Sequence, residues 1–120
     1  MARSGEARLL GMIGEAIAER YLSDSGLHIV ERNWRCDEGE IDLIARDSSG
    51  EIVVIEVKTR SSGRFGVGSE AITPEKYRRL HLLAKRWCKA RALTAPYRLD
   101  VISIDGLALP QLTHLKRVIL

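Results

Sequence analysis

Three side chains in one short stretch have the types and spacing to do chemistry. Asp42 lies in Gly39-Glu40-Ile41-Asp42-Leu43-Ile44, and Glu56 and Lys58 lie in Ile52-Val53-Val54-Ile55-Glu56-Val57-Lys58. The first run alternates polar and apolar residues and the second is dominated by β-branched ones, so both read as strands. Asp47-Ser48-Ser49-Gly50 between them is turn chemistry, which makes the pair a β-hairpin. Glu56 and Lys58 are two apart and share a face. Whether Asp42 joins them depends on the loop, because a one-residue slip in register moves a side chain to the other face. With Ser48 and Ser49 alone as the loop, Asp42 falls opposite Ile55 and the carboxylates part. With a three-residue loop, Ser48-Ser49-Gly50, Asp42 falls opposite Glu56, and Gly50 suits the left-handed third position of such a loop. The second register is expected, and it gathers Asp42, Glu56 and Lys58.

Two carboxylates on adjacent strands repel unless they share a cation. Mg²⁺ takes one or two protein carboxylates and completes its shell with waters and substrate phosphate oxygens. A lysine beside them can orient a metal-bound water or offset charge building on a phosphate. This is a plausible centre for phosphodiester hydrolysis. The competing reading is a solvated sheet face with cross-strand ion pairs, the ordinary fate of an isolated Glu-x-Lys triplet; an upstream Asp at matching parity moves the balance towards a site.

The elements around this hairpin must position it. Residues 6–23 read as a first helix, with Leu10, Ile13, Gly14, Ile17, Ala18 and Tyr21 at helical spacing as its core-facing stripe. Gly11, Gly14 and Ala18 are small enough for a close approach to a sheet. Asp24-Ser25-Gly26 ends the helix, and residues 27–35 read as a strand whose register is open, with Trp34 turned inward only after a twist or bulge. Thr73-Pro74 starts a second helix, Thr as N-cap and Pro at the first helical position. Its buried stripe is Tyr77, Leu80, Ala84, Trp87 and Cys88. Residues 97–104 read as a fourth strand, parallel to the Glu56 strand across the helix, with Arg98 and Asp100 on one face as a mutual ion pair. Residues 112–119 read as a last edge strand carrying His114, which is not assigned to catalysis.

At 120 residues the chain is expected to be one domain, residues 1–120. It is 45% apolar, with no run near the ~20 residues of a membrane span. With no signal-peptide pattern at its start, it is expected to be cytoplasmic and away from membranes. Cys36 and Cys88 show neither metal spacing nor a disulfide framework and read as free thiols. The net charge is +3, yet residues 74–92 alone carry +6, so the positive charge is concentrated on the second helix. Arg78, Arg79, Lys85, Arg86 and Lys89 there are candidates for DNA backbone contact, and Lys76, near the helix start, is placed to reach either the site or a phosphate. Arg60 and Arg64, beside the glycine-rich stretch 61–69, are candidates for phosphate contact, with a plain flexible crossover as the even alternative.

At these residues the chain resembles a known group. Asp42…Glu56-Val57-Lys58 is similar to the PD-(D/E)XK nuclease superfamily, with Ile41 where that motif has Pro. Gly14-Glu15-x-x-Ala18-x-x-Tyr21-Leu22, Asn33-Trp34-Arg35, Gly39 to Ala45 and Glu56-Val57-Lys58-Thr59-Arg60 resemble the YraN family of small bacterial proteins, related to Holliday-junction resolvases. The resemblance covers nearly the whole chain. It implies an α/β fold, ordered αβββαββ, with a restriction-endonuclease-like mixed sheet flanked by helices. It implies a Mg²⁺- or Mn²⁺-dependent DNA endonuclease acting on branched or damaged DNA, and a homodimer. Asp42 and Glu56 would hold the metal, with the Val57 carbonyl and Glu15 assisting. Glu6 is the weaker competitor for Glu15's place, and Lys58 would position water or stabilise the transition state. The alternative is a non-catalytic module that keeps the fold to bind nucleic acid or protein.

Overall fold

The central hairpin forms with the expected register. The structure is a computed structural model that describes residues 2–61 and 72–120. The described elements are α1 (Ala2–Asp24), β1 (His28–Cys36), β2 (Gly39–Arg46), β3 (Ile52–Arg60), α2 (Pro74–Ala90), β4 (Tyr97–Asp105) and β5 (Gln111–Leu115). Leu43 faces Ile55 and Arg46 faces Ile52, where the paired ladder ends; carried one residue further, this register brings Asp42 level with Glu56. The Asp47 N–H donates to the Glu51 carbonyl (3.1 Å), and Gly50 turns the chain at φ +92°, leaving Ser48-Ser49-Gly50 as the loop. The Asp47 carboxylate accepts from the N–H groups of Ser49 (2.9 Å) and Glu51 (3.0 Å) and so stiffens it.

The five strands form one sheet in the order β1-β2-β3-β4-β5. All neighbours are antiparallel except β3 and β4, which are parallel. The helix between β3 and β4 makes that parallel pairing possible, because a tight turn cannot. The architecture is therefore the α/β, αβββαββ mixed sheet flanked by helices that the resemblance implied.

Each helix covers one face. On the α2 face Leu80, Leu83, Ala84, Trp87 and Cys88 pack on Ile41, Ile44, Ile52, Val54, Leu99 and Val101. The Thr73 side chain accepts from the Lys76 N–H (3.2 Å), the N-cap expected for Thr-Pro. On the α1 face Ala18 and Leu22 pack on Leu43, Ala45, Val53, Ile55, Ile102 and Ile104. Gly14 is what brings α1 so near: a Cβ there would lie 1.8 Å from Thr59 Oγ1.

Two expectations are corrected here. Ile13 is exposed and does not belong to the core stripe, whose buried line is Gly14, Ala18 and Leu22. The helix rests on its smallest residues, so the larger side chain one position away stays outside the contact. The last strand ends at Leu115 and does not reach Ile119. Arg117 there takes positive φ (+53°) and donates its N–H to the Asp100 carboxylate (3.0 Å), which draws the chain out of the sheet edge. The glycine-rich stretch, with Arg64, lies outside the described residues.

Candidate active site

Regular pairing stops at one row of the sheet, and the candidate site is built there. Between β1 and β2 the paired residues run Arg32 with Leu43 and then Trp34 with Ile41, skipping Asn33 and Asp42. Asn33 has positive φ (+51°), which Asn tolerates better than most side chains. Its effect is visible on both strands. Leu43 packs on the α1 face but Ile41, two residues away, packs on the α2 face. In a regular strand both would share one face. The Asp42 carboxylate then takes a place in the hydrogen bonding that a strand carbonyl would ordinarily hold, accepting from the Val57 N–H (2.8 Å). A separate register shift between Ile29 and Glu31 lies nearer the start of β1. These irregularities are what turn Trp34 towards the core.

Asp42 and Glu56 line one cleft, about 280 Å³ in volume, together with Gly39, Glu40, Lys76, Arg79, Leu80 and Leu83. Glu56 is buried, and its Oε2 lies 2.5 Å from Lys76 Nζ. Among the described residues Asp42 has no such cation. Burial, and after it the charge of Glu56, push its carboxyl up to about 7; the Val57 N–H opposes this, and Glu15 and Glu40 add to it. Glu15 reaches the cluster from α1. Its pKa is raised by burial first, with the Asn33 side chain opposing and Glu40 and Glu56 adding. The structure thus brings Asp42, Glu56, Glu15 and Glu40 into one electrostatic neighbourhood. Glu6 lines a different, apolar groove with Leu9, Leu10 and Ile13.

The basic residues divide. Lys76 and Arg79 face the cleft. Lys58 is half-buried on the strand of Glu56 and two residues beyond it, but it is not among the cleft-lining side chains. Arg78, Lys85 and Lys89 are exposed on α2. Arg86 is engaged by Asp37 and Glu38, each at 2.6 Å. Arg60 pairs with buried Asp105 at 3.6 Å. The basic face of α2 is therefore partly neutralised by the β1–β2 turn. The role of Asn33 was not read from sequence; the usable signal was an Asn between strand residues, where positive φ is cheapest.

The site suits a divalent cation in a limited sense. Among the described residues no group of three His, Cys, Asp or Glu side chains could hold an ion by itself. What the cleft offers is a pair of carboxyl groups, Glu56 held by Lys76 and Asp42 without a cation among the described residues, and one or two carboxylates with waters are the kind of seat Mg²⁺ takes.

A small α/β domain whose sheet opens at a carboxylate cleft beneath its second helix is the class that fold and site define. The chain belongs to the uncharacterised protein family UPF0102, whose model matches residues 14–104. It is 48% identical over 113 residues to the UPF0102 protein of Paenarthrobacter aurescens strain TC1, covering 92% of this chain and 93% of that one. It is 50% identical over 113 residues to that of Pseudarthrobacter chlorophenolicus, covering 92% and 85%. Among solved structures it is similar to a chain of the EndoMS–dsDNA2 complex, with 20% identity and a TM-score of 0.45; 69% of this chain is covered and 33% of that one. It is also similar to Pyrococcus furiosus SfsA in complex with Ca²⁺, with 16% identity and a TM-score of 0.34, covering 92% and 63%. Among the described residues no helix is long and apolar enough to cross a membrane.

Proposed function

We propose that this protein is a Mg²⁺- or Mn²⁺-dependent endonuclease that hydrolyses phosphodiester bonds in DNA, with branched or damaged DNA as its substrate. One observation carries the reading. Asp42 and Glu56 line a single cleft from adjacent strands, and burial, with the charge of Glu56 after it, raises the Asp42 carboxyl to about 7. A structural ion-pair network satisfies its carboxylates; this one leaves a charge to be met by a ligand.

Asp42, Glu56 and the Val57 carbonyl would hold the cation, with Glu15 assisting from α1. When bound, the cation would lower the pKa of a water and neutralise charge developing on the phosphate. The protein's own groups do the rest. Asn33 and the Val57 N–H fix the Glu15 and Asp42 carboxylates. Lys76 holds Glu56 in place and, with Arg79, presents positive charge to a phosphate entering the cleft. Lys58 lies farther along β3 and is assigned to stabilising charge on the reacting phosphate.

A second reading has its own observation. The Lys76 ammonium already sits on Glu56, so the cleft carries a built-in cation, as a binding module without catalysis would. Incubating the purified protein and its Asp42→Asn variant with single-stranded, duplex, flap and four-way-junction DNA separates the two. Reactions would contain Mg²⁺, Mn²⁺ or EDTA, with thermal melts run alongside. Metal-dependent cutting, together with a metal-dependent rise in Tm, both lost in Asp42→Asn, is the expected result. Intact DNA under every condition and a Tm indifferent to either metal would leave the binding module as the function.

A further inference from the structure

The helix α1 carries two apolar faces, and only one is used by the fold. Gly14, Ala18 and Leu22 are buried against the sheet. Leu9, Met12, Ile13 and Ala16 recur at i, i+3, i+4 and i+7 and are all exposed, Leu9 at 57%, Met12 at 61% and Ile13 at 37%. That spacing makes one stripe along the helix. Single exposed apolar residues need no explanation, but a contiguous stripe does. Leu107 extends it: with Leu9, Leu10, Ile13 and Glu6 it lines an apolar groove of about 360 Å³ beside the helix.

The charges flanking the stripe say what covers it. Glu6 lies seven residues before Ile13 and Arg20 seven after, and at 3.6 residues per turn both fall on the same flank. On the other flank Arg8 lies five residues before Ile13 and Glu19 six after. A helix with this pattern is complementary to itself when turned end for end about Ile13. Glu6 then meets Arg20 of the second copy on one side, and Arg8 approaches Glu19 on the other.

We infer that α1 is a homodimer interface in which two copies pack antiparallel through Leu9, Met12, Ile13 and Ala16, centred on Ile13. A two-fold axis makes one such patch sufficient for both partners. Arg20 reaches Asp24 at 3.2 Å on an open surface and is free to turn, whereas both Glu19 oxygens are taken by Arg32, so the Glu6–Arg20 pair carries the charge match. The inference stands on α1 alone and does not depend on the nuclease reading.

Sedimentation equilibrium from micromolar to millimolar protein tests it. The wild type is expected to show a reversible monomer–dimer equilibrium, and Ile13→Glu to be monomeric throughout with an unchanged circular-dichroism melt. Met12→Glu, at the most exposed stripe position, serves the same purpose if Ile13→Glu folds poorly. Arg20→Glu is expected to weaken the dimer about tenfold, two symmetry-related surface pairs being lost, and Glu6→Arg combined with Arg20→Glu to restore it. A wild type that stays monomeric across the range would give the stripe to some other occupant and overturn the proposal. So would a dimer indifferent to both stripe variants, or a double reversal that restores nothing.

Discussion

Asp42 and Asp100 are both buried or half-buried aspartates on strands of the same sheet, and they differ in every other respect that matters. Asp100 is fully buried, which by itself raises its pKa, yet its pKa is lowered. His114 Nε2 lies 2.7 Å from its carboxylate, the Arg117 N–H donates to it at 3.0 Å, and Arg98 Nε donates at 3.1 Å; together these outweigh burial. Asp42 is less deeply buried, has one backbone N–H and is surrounded by other carboxylates, and its pKa goes up. Burial alone therefore does not set the direction of a shift; the supply of partners does, and Asp100 on β4 shows how fully such a group can be satisfied. Asp100 is part of what holds the fold; Asp42 is a standing cost to it that a ligand would offset.

The sharpest way to break this contrast is to remove Asp100. Asp100→Ala leaves Arg98 and His114 without their buried partner and is expected to cost about 3–5 kcal/mol of stability by urea denaturation. A loss well under 1 kcal/mol would mean that the network around it is ornamental. Asp42→Asn keeps an acceptor for the Val57 N–H and removes the unmet charge. It is expected to stabilise the metal-free protein by about 1–2 kcal/mol at pH 7 and to change little at pH 4.

The sign follows from the two protonation states. Asp42 ordinarily titrates at 3.8 and in the fold at about 7, so between those values the folded protein keeps a proton that the unfolded chain has lost. Its contribution to stability is present below about pH 4 and is lost as the pH rises towards 7. Asp100 acts in the opposite sense, contributing above its ordinary value of 3.8 and losing that contribution as the pH falls below it. Urea midpoints measured across pH 3–8 would show the first slope in the wild type and not in Asp42→Asn. The smallest effect expected is that of Tyr21→Phe. The Tyr21 hydroxyl lies 2.8 Å from His114 Nδ1 and completes the Asp100 network from α1, so its loss is expected to cost about 1 kcal/mol. A neutral result would mean that His114, Arg98 and Arg117 hold Asp100 without support from Tyr21.

Much of this molecule was legible in the chain because it is local. The Ser48-Ser49-Gly50 loop selects the hairpin register, since a glycine at the third loop position takes positive φ without strain, and that register, carried one residue past the paired ladder, brings Asp42 level with Glu56. Thr73-Pro74 announced the start of α2 through the same kind of short-range chemistry. The Arg98–Asp100 pair needed only two residues of strand.

What stayed hidden depends on elements meeting across long stretches of sequence. Nothing near Lys76 says that its ammonium will rest on Glu56, or that Arg86 will be drawn to Asp37 and Glu38 and away from the open face of α2. Glu15 joins the site because Gly14 lets α1 settle on Thr59, a contact between the first helix and the third strand. The reversal of faces at Asn33 and Asp42 is decided by two strands together, because Ile41 and Leu43 are both core residues and only the sheet determines which helix each one meets. By itself the sequence determined which residues could form the site and which strand pair would carry them. The tertiary structure alone decided which charges are met and which are left unmet, because pairing and burial are properties of the closed fold.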